Sequence, residues 1–216
     1  MKLPEEMEAG SSISPTNQTF EIILGSSSMS RREILSEMGY EFTIMTADID
    51  EKSIRKEKPE DLVMALAEAK ADAIMMKLKS NGELKEISQP TLLITADTVV
   101  VYQEIIREKP SSEEEAHQFI RDYSGGSAKV VGSVCITNLV TGTRKGGWES
   151  AEVYFLDIPD EVVDSLIEEG MIFNVAGGLM LEHPLILPLV DTVVGTADCV
   201  MGLSKSLTEK LIQEAL

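Results

Sequence analysis

The sequence predicts a mixed α/β fold in which helices flank one central sheet, and three observations carry that expectation. Short apolar runs rich in Val and Ile alternate with amphipathic stretches of helical period, the pattern of strands and of the helices that cover them. Two strand-like runs late in the chain follow one another with only a turn between them, so the sheet is not purely parallel. The 216 residues are 43% hydrophobic and 26% charged, enough apolar surface for a buried core and too much for a disordered chain.

The first strand is Glu21-Ile22-Ile23-Leu24-Gly25, which runs through three serines into a helix beginning near Ser30. Ser30 and Glu33 have the spacing of a capping box there. Phe42 to Ala47 reads as a second strand. Pro59 opens a long helix that reaches about Leu78, at a position where its missing N–H costs nothing. Leu92 to Tyr102 is a buried strand interrupted by Asp97, and Glu113 to Asp122 a helix capped by Ser112 and Glu115. Ala128 to Thr137 and Glu149 to Phe155 are strands with Thr141-Gly142-Thr143 as a turn between them; Pro159 to Glu169 and Leu207 to Ala215 are helices. Residues 1–18, acidic and then rich in Gly, Ser and Pro, resemble neither a secretory nor a transit peptide and read as a mobile tail. Residues 19–216 read as a single domain.

Charge narrows the function. The net charge is −18, which opposes nonspecific binding to nucleic acid or to an anionic membrane surface. No apolar run reaches the roughly 18 residues of a membrane helix. Two cysteines, Cys135 and Cys199, form neither a metal spacing nor a disulfide framework, which points to the cytoplasm. From Glu149 onward there are 13 acidic and 2 basic residues, so cationic contacts to an anionic ligand are expected from the first two thirds of the chain.

Three places there carry chemistry. Gly25-Ser26-Ser27-Ser28-Met29-Ser30-Arg31-Arg32 is a strand, a small-residue loop and a helix start, which offers free N–H groups, hydroxyls and a positive dipole end. A capping box explains Ser30 and Glu33 but not Arg31 and Arg32, whose charges oppose the helix dipole by about 0.3–1 kcal/mol each unless a phosphate chain overrides it. Lys70 falls within the apolar stripe Val63, Leu66, Ala67, Ile74; it either snorkels to the surface or meets an anion in a cleft. Asp97 lies in an otherwise apolar strand, where a carboxylate needs partners. It reads as a strand-end Asp bonded to backbone amides, a general base or a magnesium ligand. Glu51 ends an acidic cluster after the second strand, and Lys109-Pro110 follows the Asp97 strand; each is weak alone.

In order, Leu24-Gly25-Ser26-Ser27-Ser28…Arg31-Arg32, Asp48-Ile49-Asp50-Glu51, Leu66-Ala67-Glu68-Ala69-Lys70-Ala71, Ala96-Asp97-Thr98-Val99-Val100 and Glu108-Lys109-Pro110 resemble the Maf family. Ser124-Gly125-Gly126, Ala176-Gly177-Gly178 and Val200-Met201-Gly202-Leu203 continue the match, which spans residues 21 to 214. The resemblance implies two lobes with a cleft between them, and hydrolysis of nucleoside triphosphates to a monophosphate and pyrophosphate, a house-cleaning activity. It implies a divalent metal, Mg²⁺ first and Mn²⁺ as the alternative, and a homodimer. It assigns Ser27, Arg31, Arg32, Lys70, Lys109 and Glu182 to substrate, Asp97 to catalysis, and Glu51 with Asp97 to the metal. The chain departs from the common pattern at Met29-Ser30, at Asn174-Val175, and at Glu182, where uridine- and thymidine-preferring members tend to have Gln. The resemblance leaves pyrimidine or modified nucleotides as substrates, with uridine, thymidine, cytidine and 7-methylguanosine triphosphates all open; Glu182, which can pair with N–H donors or a cationic methylated purine, favours the last two. The competing reading is a noncatalytic nucleotide-binding regulator.

Overall fold

A computed structural model describes residues 18–216. The expected tail lies outside the described residues except for Gln18, whose side-chain amide bonds the backbone of Phe20 and Glu41. The strands are β1 (Glu21–Leu24), β2 (Thr43–Ile44), β3 (Thr91–Tyr102), β4 (Ile105–Arg107), β5 (Ser127–Asn138), β6 (Arg144–Phe155) and β7 (Val190–Val194). The helices are α1 (Met29–Glu37), α2 (Pro59–Ser80), α3 (Glu113–Tyr123), α4 (Asp160–Glu169), α5 (Ala197–Val200) and α6 (Lys205–Ala215). The strands form one mixed sheet in the order β2-β1-β3-β5-β6-β7, with β4 turning back onto β3. Among the described residues only β1 makes parallel pairs, with β2 and β3; the other pairs are antiparallel. Helices lie on both faces, as the alternation of strand and helix periods requires.

The long strands β3, β5 and β6 form the spine, and the apolar residues of β3 point alternately to the two faces. On one face Ile22, Leu24, Leu92, Ile94 and Ala96 pack with Ile34 and Leu35 of α1 and Leu207 and Leu211 of α6. On the other, Leu62, Val63 and Leu66 of α2 pack on Val99 and Val131, and Ala71, Ile74 and Leu78 on Leu93. A further cluster joins Ile120 and Tyr123 of α3, Val163 and Leu166 of α4 and Val130 and Val153 of the sheet. Burying each such side chain contributes about 1.5–3 kcal/mol before entropy is counted.

Several element boundaries differ from the expectation, each for a tertiary reason. Only Thr43 and Ile44 of the Phe42–Ala47 run pair as a strand, because β2 is an exposed edge with one neighbour. Strand β6 starts at Arg144, five residues earlier than expected. Its Gly146-Gly147 pair is where helices approach from both faces: a Cβ would lie 2.7 Å from Met64 Cε of α2 at Gly146 and 3.0 Å from Leu207 Cδ1 of α6 at Gly147. Strands β4 and β7 and helix α5 are too short to announce themselves by periodicity. The β3–β4 turn uses Gln103 and Glu104, both at positive φ, rather than the glycine that marks such a turn in a sequence. Helix α1 begins at Met29 with Ser28 as its N-cap, so the expected Ser30–Glu33 capping box is replaced. The α3 cap is as expected at Ser112, while Glu115 reaches past it to the N–H and hydroxyl of Ser111.

Candidate active site

A gap in the pairing of β3 positions the site. Strand β1 pairs with β3 only as far as Leu24 and Ile94, and β4 takes the same edge only from Val100 onward. Between them, Thr95 to Val99 present an edge with no strand beside it among the described residues, at the carboxyl end of β1, where open α/β sheets bind their ligands. Asp97 lies in that gap.

The loop from β1 into α1 covers one side. Gly25 donates its N–H to Ile94 O at 2.7 Å and crosses so close to β3 that a Cβ would sit 2.6 Å from Thr95 Cγ2. Ser28 accepts from Arg31 N at 3.4 Å as the cap, and buried Ser26 Oγ accepts from Ser28 N at 3.2 Å. Because Ser28 caps the helix, the Ser30 hydroxyl is free to donate to Glu182 Oε1 at 2.8 Å, across the groove's rim.

Arg31 reaches back beneath its own helix. Its Nε donates to Gly202 O at 2.9 Å, Nη2 to Thr98 Oγ1 at 3.0 Å, and Nη1 to Ala96 O at 3.1 Å and Ser26 Oγ at 3.3 Å. One guanidinium thereby ties together the loop, the free edge of β3 and the turn between α5 and α6. Burial pushes its pKa down, while the charges of Asp97 and Glu51 oppose that shift. Gly202 belongs to the arrangement: it has φ +103°, and a Cβ would meet Thr98 Oγ1 at 3.2 Å and Arg31 Nε at 3.3 Å. Arg32 is half-buried and does not line the groove; its Nη1 lies 3.8 Å from Met29 Sδ, and its buried Nε has no hydrogen-bond partner among the described residues.

The opposite side comes from α2. Lys70 emerges from the face that packs on β3, and its ammonium lies 2.5 Å from Asp97 Oδ1 and 2.9 Å from Glu51 Oε1. Asp97 is 7% exposed, so the carboxylate in the apolar strand is paired with a cation rather than with backbone amides. Glu51 opens a single turn of 3-10 helix after β2. Burial alone would raise its pKa, but Lys70, Lys109 and Arg31 outweigh burial and hold the carboxyl below the usual range. Lys109 extends from the loop after β4, which is held by the 2.8 Å bond from Gly177 N to Glu108 O and by an ion pair between Glu108 and Arg55.

These groups face one groove of about 320 Å³. Ser27, Arg31, Glu51, Lys70, Asp97, Lys109 and Glu182 all line it, as do Asn174 and Val175; Arg32 stands apart. Sequence reasoning did not find Thr98 and Gly202 as the anchors of Arg31. Thr98 is adjacent to Asp97 and faces the other side of the sheet, and only the glycine's positive φ sets Gly202 apart. Among the described residues no group of three or more His, Cys, Asp and Glu is placed to hold a metal ion. No helix among them is long and apolar enough to cross a membrane.

Fold and groove together define an α/β protein whose cleft gathers Arg31, Lys70 and Lys109 around a carboxylate pair. The chain belongs to the Maf family: the family model described as Maf-like protein matches residues 21–215. A 7-methyl-GTP pyrophosphatase of Dictyostelium discoideum is 36% identical over 193 residues, covering 89% of this chain and 96% of that protein. A dTTP/UTP pyrophosphatase of Neisseria meningitidis is 30% identical over 194 residues, covering 89% and 93%. A nucleoside triphosphate pyrophosphatase of Salinispora tropica is 26% identical over 193 residues, covering 89% and 83%.

Proposed function

We propose that this protein hydrolyses a nucleoside triphosphate to the monophosphate and pyrophosphate, with 7-methylguanosine triphosphate as the preferred substrate. The observation that carries the reading is the convergence of Arg31, Lys70 and Lys109 with Glu51 and Asp97 on one groove. Three cations offset a triphosphate chain, and electrostatic stabilisation and positioning supply most of the rate in phosphoryl chemistry. The N-terminus of α1 adds backbone N–H groups beside Ser27. Asp97 accepts a proton from the water that attacks the α-phosphorus, and pyrophosphate leaves toward the lysines. A base in that position is worth about 10²–10⁴-fold.

Glu51 and Asp97 also suit a divalent ion. Two carboxylates drawn together on one cation match the way Mg²⁺ is held, by one or two carboxylates plus substrate phosphates. Such an ion, Mg²⁺ or alternatively Mn²⁺, would be held by Glu51 and Asp97 and would supply charge neutralisation to the substrate.

Base preference rests on Glu182. Its Oε1 accepts from Ser30, and as a carboxylate it can only accept further bonds, which suits the N–H edge and positive charge of a 7-methylated guanine. The Dictyostelium relative carries the matching name. We further propose that the chain acts as one catalytic domain of two lobes in the cytoplasm, where Cys135 and Cys199 stay as buried thiols. We also propose a homodimer, seated where Trp148, Tyr154 and Val194 are exposed on one face of β6 and β7, and sedimentation tests it. The activity is tested by incubating ordinary and methylated triphosphates with Mg²⁺ and reading pyrophosphate and orthophosphate separately. Pyrophosphate from 7-methylguanosine triphosphate is the expected product; orthophosphate alone, or no product, refutes the reading. A Glu182→Gln substitution shifts the preference toward uridine and thymidine triphosphates, and unchanged preference removes Glu182 from base selection.

A further inference from the structure

We propose that Lys70 is a placeholder cation. In the nucleotide-free protein its ammonium occupies the Glu51–Asp97 pair and has to leave before a divalent ion can be held there, so the ion is admitted together with the triphosphate. The inference rests on the pyrophosphatase reading of the same groove and adds an order of events to it.

The geometry is that of an occupied cation seat. Lys70 Nζ lies 2.5 Å from Asp97 Oδ1 and 2.9 Å from Glu51 Oε1, which brings one oxygen of each carboxylate onto a single positive centre. The described residues offer no larger carboxylate, histidine or cysteine cluster to which the ion might go instead. Charge does not favour a bare ion at the same point. Arg31, Lys52, Lys70 and Lys109 stand against Glu51, Asp97, Glu108 and Glu182 in the groove, so its lining carries no excess of negative charge before any ligand arrives. Arg31 is fixed by four hydrogen bonds and cannot withdraw. Lys70 has no other acceptor among the described residues and a flexible stem of four methylenes, so it is the cation able to move. A triphosphate tips the balance: its negative charges give Lys70 a second seat and leave the carboxylates to the metal.

Mn²⁺ serves as the probe, with the electron paramagnetic resonance signal of the free ion followed during titration of the full chain without nucleotide. Wild type and Lys70→Arg, which both keep the cation, bind Mn²⁺ equally weakly, and Glu51→Gln in the wild type leaves that weak binding unchanged. Lys70→Met and Lys70→Gln bind at least about tenfold tighter, since the competing charge is gone. Adding Glu51→Gln to either variant removes the gain. Wild type that binds Mn²⁺ at micromolar concentration through Glu51 and Asp97, or Lys70 variants that gain nothing, overturns the proposal. Circular dichroism confirms that the variants are folded, and the wild-type titration decides by itself if they are not. Placeholder behaviour in a chain that cleaves no triphosphate would sink the pyrophosphatase reading alone. An active pyrophosphatase whose Lys70 variants gain no Mn²⁺ affinity would sink the placeholder alone.

Discussion

Replacing Arg31 by Lys keeps the positive charge and removes the fork, which separates what the guanidinium does as a charge from what it does as a strut. Arg31 makes four hydrogen bonds, at 2.9, 3.0, 3.1 and 3.3 Å, to three segments distant in sequence. An ammonium on a shorter, single-headed side chain reaches one or two of those acceptors and strands the rest. Two of them are backbone carbonyls, of Ala96 and Gly202, in buried positions. Each buried acceptor left alone costs about 1–3 kcal/mol. Arg31→Lys is therefore expected to lose about 2–4 kcal/mol of stability in total, which for a chain of this size lowers Tm by roughly 5–15 °C. Urea unfolding followed by circular dichroism measures the loss. A double-mutant cycle with Thr98→Val isolates one bond and should return a coupling of about 0.5–3 kcal/mol. A stability change below about 0.5 kcal/mol for Arg31→Lys would refute the strut, because an exposed arginine waiting for phosphate loses no more than that.

Asp97→Asn is expected to lower kcat by about 10²–10⁴-fold in a protein that stays folded, and turnover equal to wild type would take Asp97 out of the mechanism. Glu51 has a folded-state pKa held below its unfolded value, so its contribution to stability is present above the ordinary glutamate range and is lost as pH falls through the lowered value. The stability of wild type relative to Glu51→Gln should accordingly decline only on the acid side of that range; an advantage independent of pH contradicts the ion pairing. Gly177→Ala should cost about 1–3 kcal/mol in urea unfolding. Gly177 has φ +61°, a Cβ there would lie 2.6 Å from Val100 Cβ, and its backbone holds both Glu108 and Tyr123. A wild-type midpoint would show that the segment from Met171 to Gly178 repacks freely.

The long elements were legible because their signals are local. Pro59 at the start of α2, the Val- and Ile-rich run of β3 and the Ser112 cap of α3 are each written in neighbouring residues, and each stands where expected. Ser30 misleads for the same reason. Ser28 and Ser30 are both local cap candidates, and what separates them is Glu182, more than a hundred residues away, which takes the Ser30 hydroxyl. Arg31 and Arg32 looked alike in sequence and part company in space: one is threaded under the helix to Gly202 and Thr98, the other stays outside the groove. In sequence Lys70 fits snorkelling and a cleft equally well, and the position of Asp97 relative to α2 decides for the cleft.

By itself the sequence determined that the chain folds as helices around a mixed sheet, and that its cations lie ahead of Glu149, because periodicity and composition are properties of the chain before it folds. The tertiary structure decided which of those cations share a groove with Asp97 and Glu51 and which oxygen each one faces. The physical reason is range. Helix and strand preferences act over a few residues, whereas an ion pair acts across a few ångströms of space, and only the packing of α2 and the β1–α1 loop against the unpaired edge of β3 brings those residues within reach.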